Sequence, residues 1–184
     1  MLLRRLGGFF LDVLEVVVFA IAIFLFVYLL VLQPHKIKGS SMEPNFINGE
    51  YLLTNKVTYR LREPDRGDVI VFEAPGGGGE EFIKRIIGLP GESVSIRDNK
   101  IHINTQVLAE SYLPENKPTL PGSFLRENVE IIISQNQYFV LGDNRGASSD
   151  SRAWGFVDRK KITGLAWITY WPPPKVGLVD NITY

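Results

Sequence analysis

The sequence predicts a mainly β domain carried behind one N-terminal transmembrane helix. Three observations lead there. Residues 13–32 are apolar apart from Glu15. The rest of the chain breaks into short apolar runs bounded by Gly, Pro, Asn and Asp. No helical periodicity is sustained after the apolar stretch.

The apolar stretch is an anchor. Its 20 residues span about 30 Å as a helix, the thickness of a bilayer core. In lipid the backbone must satisfy itself, so the stretch is helical despite its β-branched residues. A buried core helix and a cleavable signal are the competing readings. The run exceeds the usual signal h-region, and Gln33-Pro34-His35-Lys36 follows it with no small-x-small pattern. The expected organisation is a short cytoplasmic start over residues 1–12, an anchor over 13–32 and an extracytoplasmic β-rich domain over 33–184. Arg4 and Arg5 favour the cytoplasmic start, while Lys36 and Lys38 weaken the bias.

Beyond Pro34 the chain reads as irregular to Phe46, with a turn at Glu43-Pro44-Asn45. Strands are expected at 51–53, 69–72, 82–87, 94–97, 101–103, 129–133, 138–141 and 162–171. Asp98-Asn99-Lys100 closes a hairpin. Residues 104–128, with Pro114, Pro118 and Pro121, form an excursion in which short strands can hide. Pro75-Gly76-Gly77-Gly78-Gly79 lacks the Gly-Lys-Ser/Thr ending of a phosphate loop and reads as a flexible connection.

Composition narrows the chemistry. Lys+Arg and Asp+Glu both number 20, which gives no electrostatic reason to expect nucleic acid. Cysteine is absent, which removes disulfides, thiol nucleophiles and iron–sulfur clusters. With only His35 and His102, a three-histidine metal centre is impossible. His102 alternates with Ile101 and Ile103 and reads as a solvated strand residue. The Asp/Asn-rich run at 142–152 lacks the terminal glutamate and flanking helices of a calcium loop. The triplet Asn181-Ile182-Thr183 fits a glycosylation acceptor and reads as a coincidence.

One residue stands out chemically. Lys84 sits in the run Phe82-Ile83-Lys84-Arg85-Ile86-Ile87. One face of that strand must bury a cationic stem, and alternation alone does not choose between Lys84 and Arg85. A buried lysine loses hydration of its charged form, its pKa falls, and it can serve as a general base. The available nucleophiles are serines in two polar clusters, Ser40-Ser41 and 148–151. As isolated features these are ordinary edge-strand and loop residues.

Four separated pieces then join. Ser41-Met42-Glu43-Pro44-Asn45-Phe46, Arg66-Gly67-Asp68-Val69-Ile70-Val71-Phe72, Lys84-Arg85-Ile86-Ile87-Gly88-Leu89-Pro90-Gly91-Glu92, and Gly142-Asp143-Asn144-Arg145 through Ser148-Ser149-Asp150-Ser151-Arg152 resemble, in order, the boxes of the bacterial type I signal peptidases. The resemblance implies a signal-peptidase-like β domain, related in fold to repressor-type proteases. It implies a membrane-bound Ser-Lys protease that cleaves exported preproteins after small-x-small, often Ala-x-Ala. Ser41 matches the nucleophile, and its backbone N–H helps hold the oxyanion. Lys84 matches the general base. Ser148 matches the serine that orients that lysine. Asp150 and Arg152 match supports of the site, and Asp143 and Arg145 lie in the same shell. Met42 and Phe46 are candidate contacts for substrate or lipid.

No cofactor and no metal is implied. The implied partners are signal peptides, membrane lipid and, by proximity, the protein-export translocon. Two positions depart from the family pattern. Gly39 stands where many members carry a serine that adds to the oxyanion hole, and Asn45-Phe46 replaces the commoner Thr-Leu. The rival readings are a self-cleaving repressor-type protease, a peptidase specialised for a pilin or one export substrate, and a non-catalytic β domain that binds exported chains.

Overall fold

The computed structural model describes residues 2–114, 117–180 and 182. Asn181 and Thr183 of the glycosylation triplet lie outside the described residues.

Helix α1 (Leu2–Leu30) opens the chain. Within it Gly7–Leu30 has a mean hydropathy of 2.9 and no buried share, so it is long and apolar enough to cross a membrane. It ends two residues short of the expected Leu32, because Leu32 is already extended and pairs with Asn55. Strand β1 (Leu32–Lys36) follows, and its Pro34 is tolerated because β1 is an edge strand.

The remaining strands are β2 (Tyr51–Asn55), β3 (Val69–Glu73), β4 (Glu81–Gly88), β5 (Ser93–Arg97), β6 (Lys100–Ile103), β7 (Gln106–Val107), β8 (Ile131–Ile132), β9 (Gln137–Leu141), β10 (Val157–Asp158), β11 (Ile162–Trp171) and β12 (Gly177–Leu178). Short helical turns interrupt them among the described residues, the α-helical α2 (Thr58–Leu61) and α3 (Ser151–Trp154) and the 3-10 turns Arg159–Lys161 and Pro173–Lys175. The large sheet runs β1-β2-β11-β3-β4-β9-β10, with β12 added to β11, and a smaller sheet runs β7-β6-β5-β8. The domain is therefore mainly β, as the sequence predicts.

The β5–β6 hairpin turns on Asp98 and Asn99, both at positive φ (52° and 59°), the backbone a type I′ turn demands. The excursion after it does hide strand β7. The expected strand at 129–133 shrinks to Ile131–Ile132, because only the segment facing Ser93 and Val94 finds a partner.

Strands β3 and β4 are apolar on both faces because both faces are covered. Ile70, Phe72 and Ile86 enter one core with Tyr138, Val140 and Leu165. Val69 and Val71 enter another with Ile37, Met42, Phe46, Leu52 and Ala166. Ile87 enters a third beneath the small sheet, with Val94, Ile96, Ile101 and Phe139.

This double covering buries both cations of β4. Lys84 is 4% exposed and Arg85 is 2% exposed. Arg85 carries a permanent charge, and it is matched. Its Nε and Nη2 donate to the two carboxylate oxygens of Asp143 at 2.9 and 2.7 Å, and its Nη1 donates to the Gly67 carbonyl at 3.0 Å. Its guanidinium also lies 4.4 Å from the Tyr112 ring centroid. Breaking such a pair from one side leaves a buried charge without its counter-ion. Asp143→Ala is expected to cost about 3–5 kcal/mol of stability, read as a lower urea midpoint.

Candidate active site

The turn that carries Ser41 is held at its neck and filled from below. Ile37 N–H donates to Glu50 O at 2.8 Å, and Gly49 N–H returns to Ile37 O at 2.9 Å. Between these ties, Gly39 takes φ +86°, a left-handed conformation that suits glycine. Met42 and Phe46, at 1% and 5% exposure, drive into the core against Leu52, Val69 and Val71. Met42 and Phe46, the candidate contacts for substrate or lipid, are thus packed side chains that anchor the turn. Phe46 also reaches the wall of a cavity of about 460 Å³ that it shares with Asn45, Glu50, Tyr112 and Lys175, away from Ser41 and Lys84.

A second segment clamps the turn from above. Asn144 N–H donates to Ser41 O at 2.9 Å, and Asn144 Nδ2 donates to Ser40 O at 3.0 Å. Asn45 Nδ2 donates to Asp143 Oδ2 at 2.8 Å and to Tyr112 O at 3.2 Å. The departure at Asn45 thus supplies a bond between the two segments. Gly142 permits their approach: a Cβ there would stand 2.4 Å from Ser41 O and 2.2 Å from Ser148 Oγ.

Lys84 points from β4 into this junction. Its Nζ lies 2.9 Å from Ser41 Oγ and 2.9 Å from the Ile83 carbonyl, donating to both when charged. Burial pushes its pKa down to about 8, while the carboxylates of Asp150 and Asp143 push it back up. Near pH 8 a large share of Lys84 is therefore a neutral amine, 2.9 Å from the Ser41 hydroxyl oxygen. The Ser41 backbone N–H donates to no group among the described residues.

The other expected residues lie around this pair. Asp150 binds Arg152 through two bonds, Nε to Oδ1 and Nη2 to Oδ2, each 2.8 Å. The same carboxylate accepts from Arg152 N–H at the start of α3 and from Gly142 N–H at 3.1 Å. Arg152 then donates to Arg145 O at 2.7 Å and Leu120 O at 3.1 Å. Arg145 reaches the Glu110 carboxylate, the Thr119 hydroxyl and, at 2.9 Å, the Tyr112 hydroxyl. Ser148 differs from expectation. Its Oγ is buried beside Gly142 and has no hydrogen-bond partner among the described residues, Lys84 included.

Several residues of this assembly escaped the sequence reading. Glu110, Tyr112 and Thr119 sit in the proline-rich excursion, where no periodicity marks a partner for Arg145. Asn144 stands inside a quoted box with no role attached. Neither histidine approaches the Ser41–Lys84 pair: His35 bonds to Thr54 and Glu81, and His102 lies in the small sheet.

Comparison with known proteins places the chain. Residues 10–171 match the family described as signal peptidase, peptidase S26. A probable signal peptidase I-2 of Synechocystis sp. is 38% identical over 156 residues, covering 82% of this chain and 68% of its own. A signal peptidase IB of Staphylococcus aureus is 30% identical over 175 residues, covering 88% of this chain and 91% of its own. A crystal structure of a signal peptidase I from Enterococcus faecalis shares 34% identity with a TM-score of 0.48, over 56% of this chain and 97% of that one. This chain belongs to the signal peptidase family, peptidase S26, among its bacterial type I members.

Proposed function

We propose that this protein is a membrane-anchored serine endopeptidase that removes signal peptides from exported preproteins, cutting after small-x-small, with Ser41 as nucleophile and Lys84 as general base. The observation that carries the reading is the 2.9 Å approach of Lys84 Nζ to Ser41 Oγ, made by an amine that is 4% exposed.

The chemistry is acyl transfer. Neutral Lys84 takes the Ser41 hydroxyl proton as Oγ forms a bond to the scissile carbonyl carbon. The developing oxyanion is met by the uncommitted Ser41 N–H. Gly39 supplies no side-chain donor to join it. Collapse of the tetrahedral intermediate breaks the C–N bond, and the leaving amine takes the proton from Lys84. Lys84, neutral again, then accepts a proton from water as the water attacks the ester, and returns it to Ser41 as the ester breaks.

Arg145, Asp150, Arg152 and Asp143 hold the segment that presses on Ser41 and transfer no proton. Arg4 and Arg5, ahead of the apolar run, favour an N-terminus in the cytoplasm and a β domain outside, against the weaker opposing bias of Lys36 and Lys38. There the domain meets chains leaving the export translocon.

The test is cleavage of a preprotein carrying Ala-x-Ala by the detergent-solubilised protein. Cleavage at that site, lost in Ser41→Ala, is the expected result. Binding without cleavage by the unmodified protein contradicts the reading. The rate has a signed pH dependence. Since the neutral amine is the active form, kcat/KM is expected to rise about tenfold per pH unit below 8 and level off above it.

Ser148→Ala separates positioning from folding. An unpartnered buried hydroxyl costs about 1–3 kcal/mol, so the variant is expected to unfold at the same or higher urea. We assign its hydroxyl to orienting Lys84 once substrate is bound, so kcat is expected to fall about tenfold or more.

A further inference from the structure

Two strand edges of the large sheet that are unpaired among the described residues face each other. β1 ends the strand order, so its outer edge has no partner among the described residues. β4 pairs with β3 along Glu81–Arg85, but with β9 only from Arg85 onward. One edge of residues 81–84 is therefore also open. Three strands separate β1 from β4 in the sheet order. Even so, His35 Nε2 and Glu81 Oε2 are 2.6 Å apart. The sheet must curl until the two open edges flank a slot. Ser41 and Lys84 stand at one end of it. At the other end β1 begins two residues after α1, so that end opens toward the membrane.

The His35–Glu81 bridge crosses this second end, and it is built rather than incidental. His35 lies opposite Leu52, and Glu81 lies two residues from Ile83. Both side chains thus turn to the side where Ile37, Met42 and Leu52 pack. Each partner is held from a different strand. His35 Nδ1 is 2.9 Å from the Thr54 hydroxyl on β2, and the Thr163 hydroxyl on β11 donates to Glu81 Oε1 at 2.6 Å. A carboxylate only accepts, so Nε2 carries the proton.

Resting on the peptidase reading above, we propose that His35 and Glu81 form a clasp over the membrane-side mouth of the slot, and that this clasp limits the side chains accepted upstream of the scissile bond. An extended peptide can add its backbone to the open edges of β1 and β4. A signal peptide precedes its cleavage site in sequence, so it enters from the membrane end. Glu81 stands three residues before Lys84, about 10 Å along a strand. With the scissile carbonyl at Ser41, the third or fourth residue before the bond comes to rest beside the clasp. A small side chain there passes beneath His35–Glu81, whereas a bulky one must separate a partly buried, charge-assisted hydrogen bond.

The test compares peptides with alanine next to the bond that carry alanine or leucine at the third and at the fourth residue before it. The full-length protein is assayed beside Glu81→Ala, His35→Ala, the double variant and His35→Gln. The readout is the ratio of kcat/KM between alanine and leucine peptides. Either alanine variant is expected to lower that ratio about tenfold. The double variant is expected to lower it no further, since the two residues act as one unit. His35→Gln, which keeps an N–H donor, is expected to retain most of it. An unchanged ratio in both single variants overturns the clasp while leaving the peptidase reading intact. A uniform slowing of every peptide also overturns it, since that reports folding and not selection. No cleavage of any peptide by the unmodified protein overturns the peptidase reading and the clasp together.

Discussion

The structure depends on keeping one amine dry beside one hydroxyl. β4 carries two successive cations, and both are removed from water. The fold treats them differently because their chemistry differs. A guanidinium does not shed its proton in a protein, so Arg85 is buried only with Asp143 as a two-bond partner. An ammonium can shed its proton, so Lys84 is given no carboxylate at hydrogen-bond distance, only a hydroxyl and a carbonyl. Adjacent residues on opposite faces of one strand thus become a structural charge and a titrating one.

Two carboxylates stand close enough to Lys84 to oppose its deprotonation. Each is already committed elsewhere. Asp143 is bound by Arg85 and Asn45, and Asp150 by Arg152 and the Gly142 N–H. The ion pairs around the site therefore do two things at once. They press the 142–152 segment onto the Ser41 turn, and they occupy the oxygens that would otherwise hold the proton on Lys84. Arg145 extends the same network to Glu110 and Tyr112, fastening a long irregular excursion to the site. Removing a member of such a set disturbs both geometry and proton affinity.

The legible parts of the sequence were those with short-range pattern. The runs Val69-Ile70-Val71-Phe72 and Phe82 to Ile87 announced strands, and the apolar run 13–32 announced the helix. The resemblance of four separated boxes named Ser41 and Lys84 ahead of any distance. What stayed hidden was set by tertiary contact. Periodicity did not say whether Lys84 or Arg85 was buried, because both are. Glu110 and Thr119 meet Arg145 across 35 and 26 residues of sequence, a pairing that no local pattern encodes. The role of Met42 was open between surface and core until the turn was seen to fold its side chain under β2 and β3.

The join between helix and domain is what makes the site a membrane site. Lys56 N–H donates to Val31 O at 2.9 Å, and Lys56 Nζ reaches Leu29 O at 3.2 Å, so a loop of the β domain is bonded to the end of α1. β1 is then paired with β2 along its whole length, from Leu32 to Lys36. There is no slack linker between the bilayer and the Ser41 turn, only a paired strand and a pinned loop. An extended strand advances about 3.3 Å per residue, so the distance from the end of α1 to the Ser41 turn is set by the paired chain between them. On the peptidase reading, an anchor joined this directly to the domain keeps the site beside substrates held in the same bilayer and so raises their local concentration.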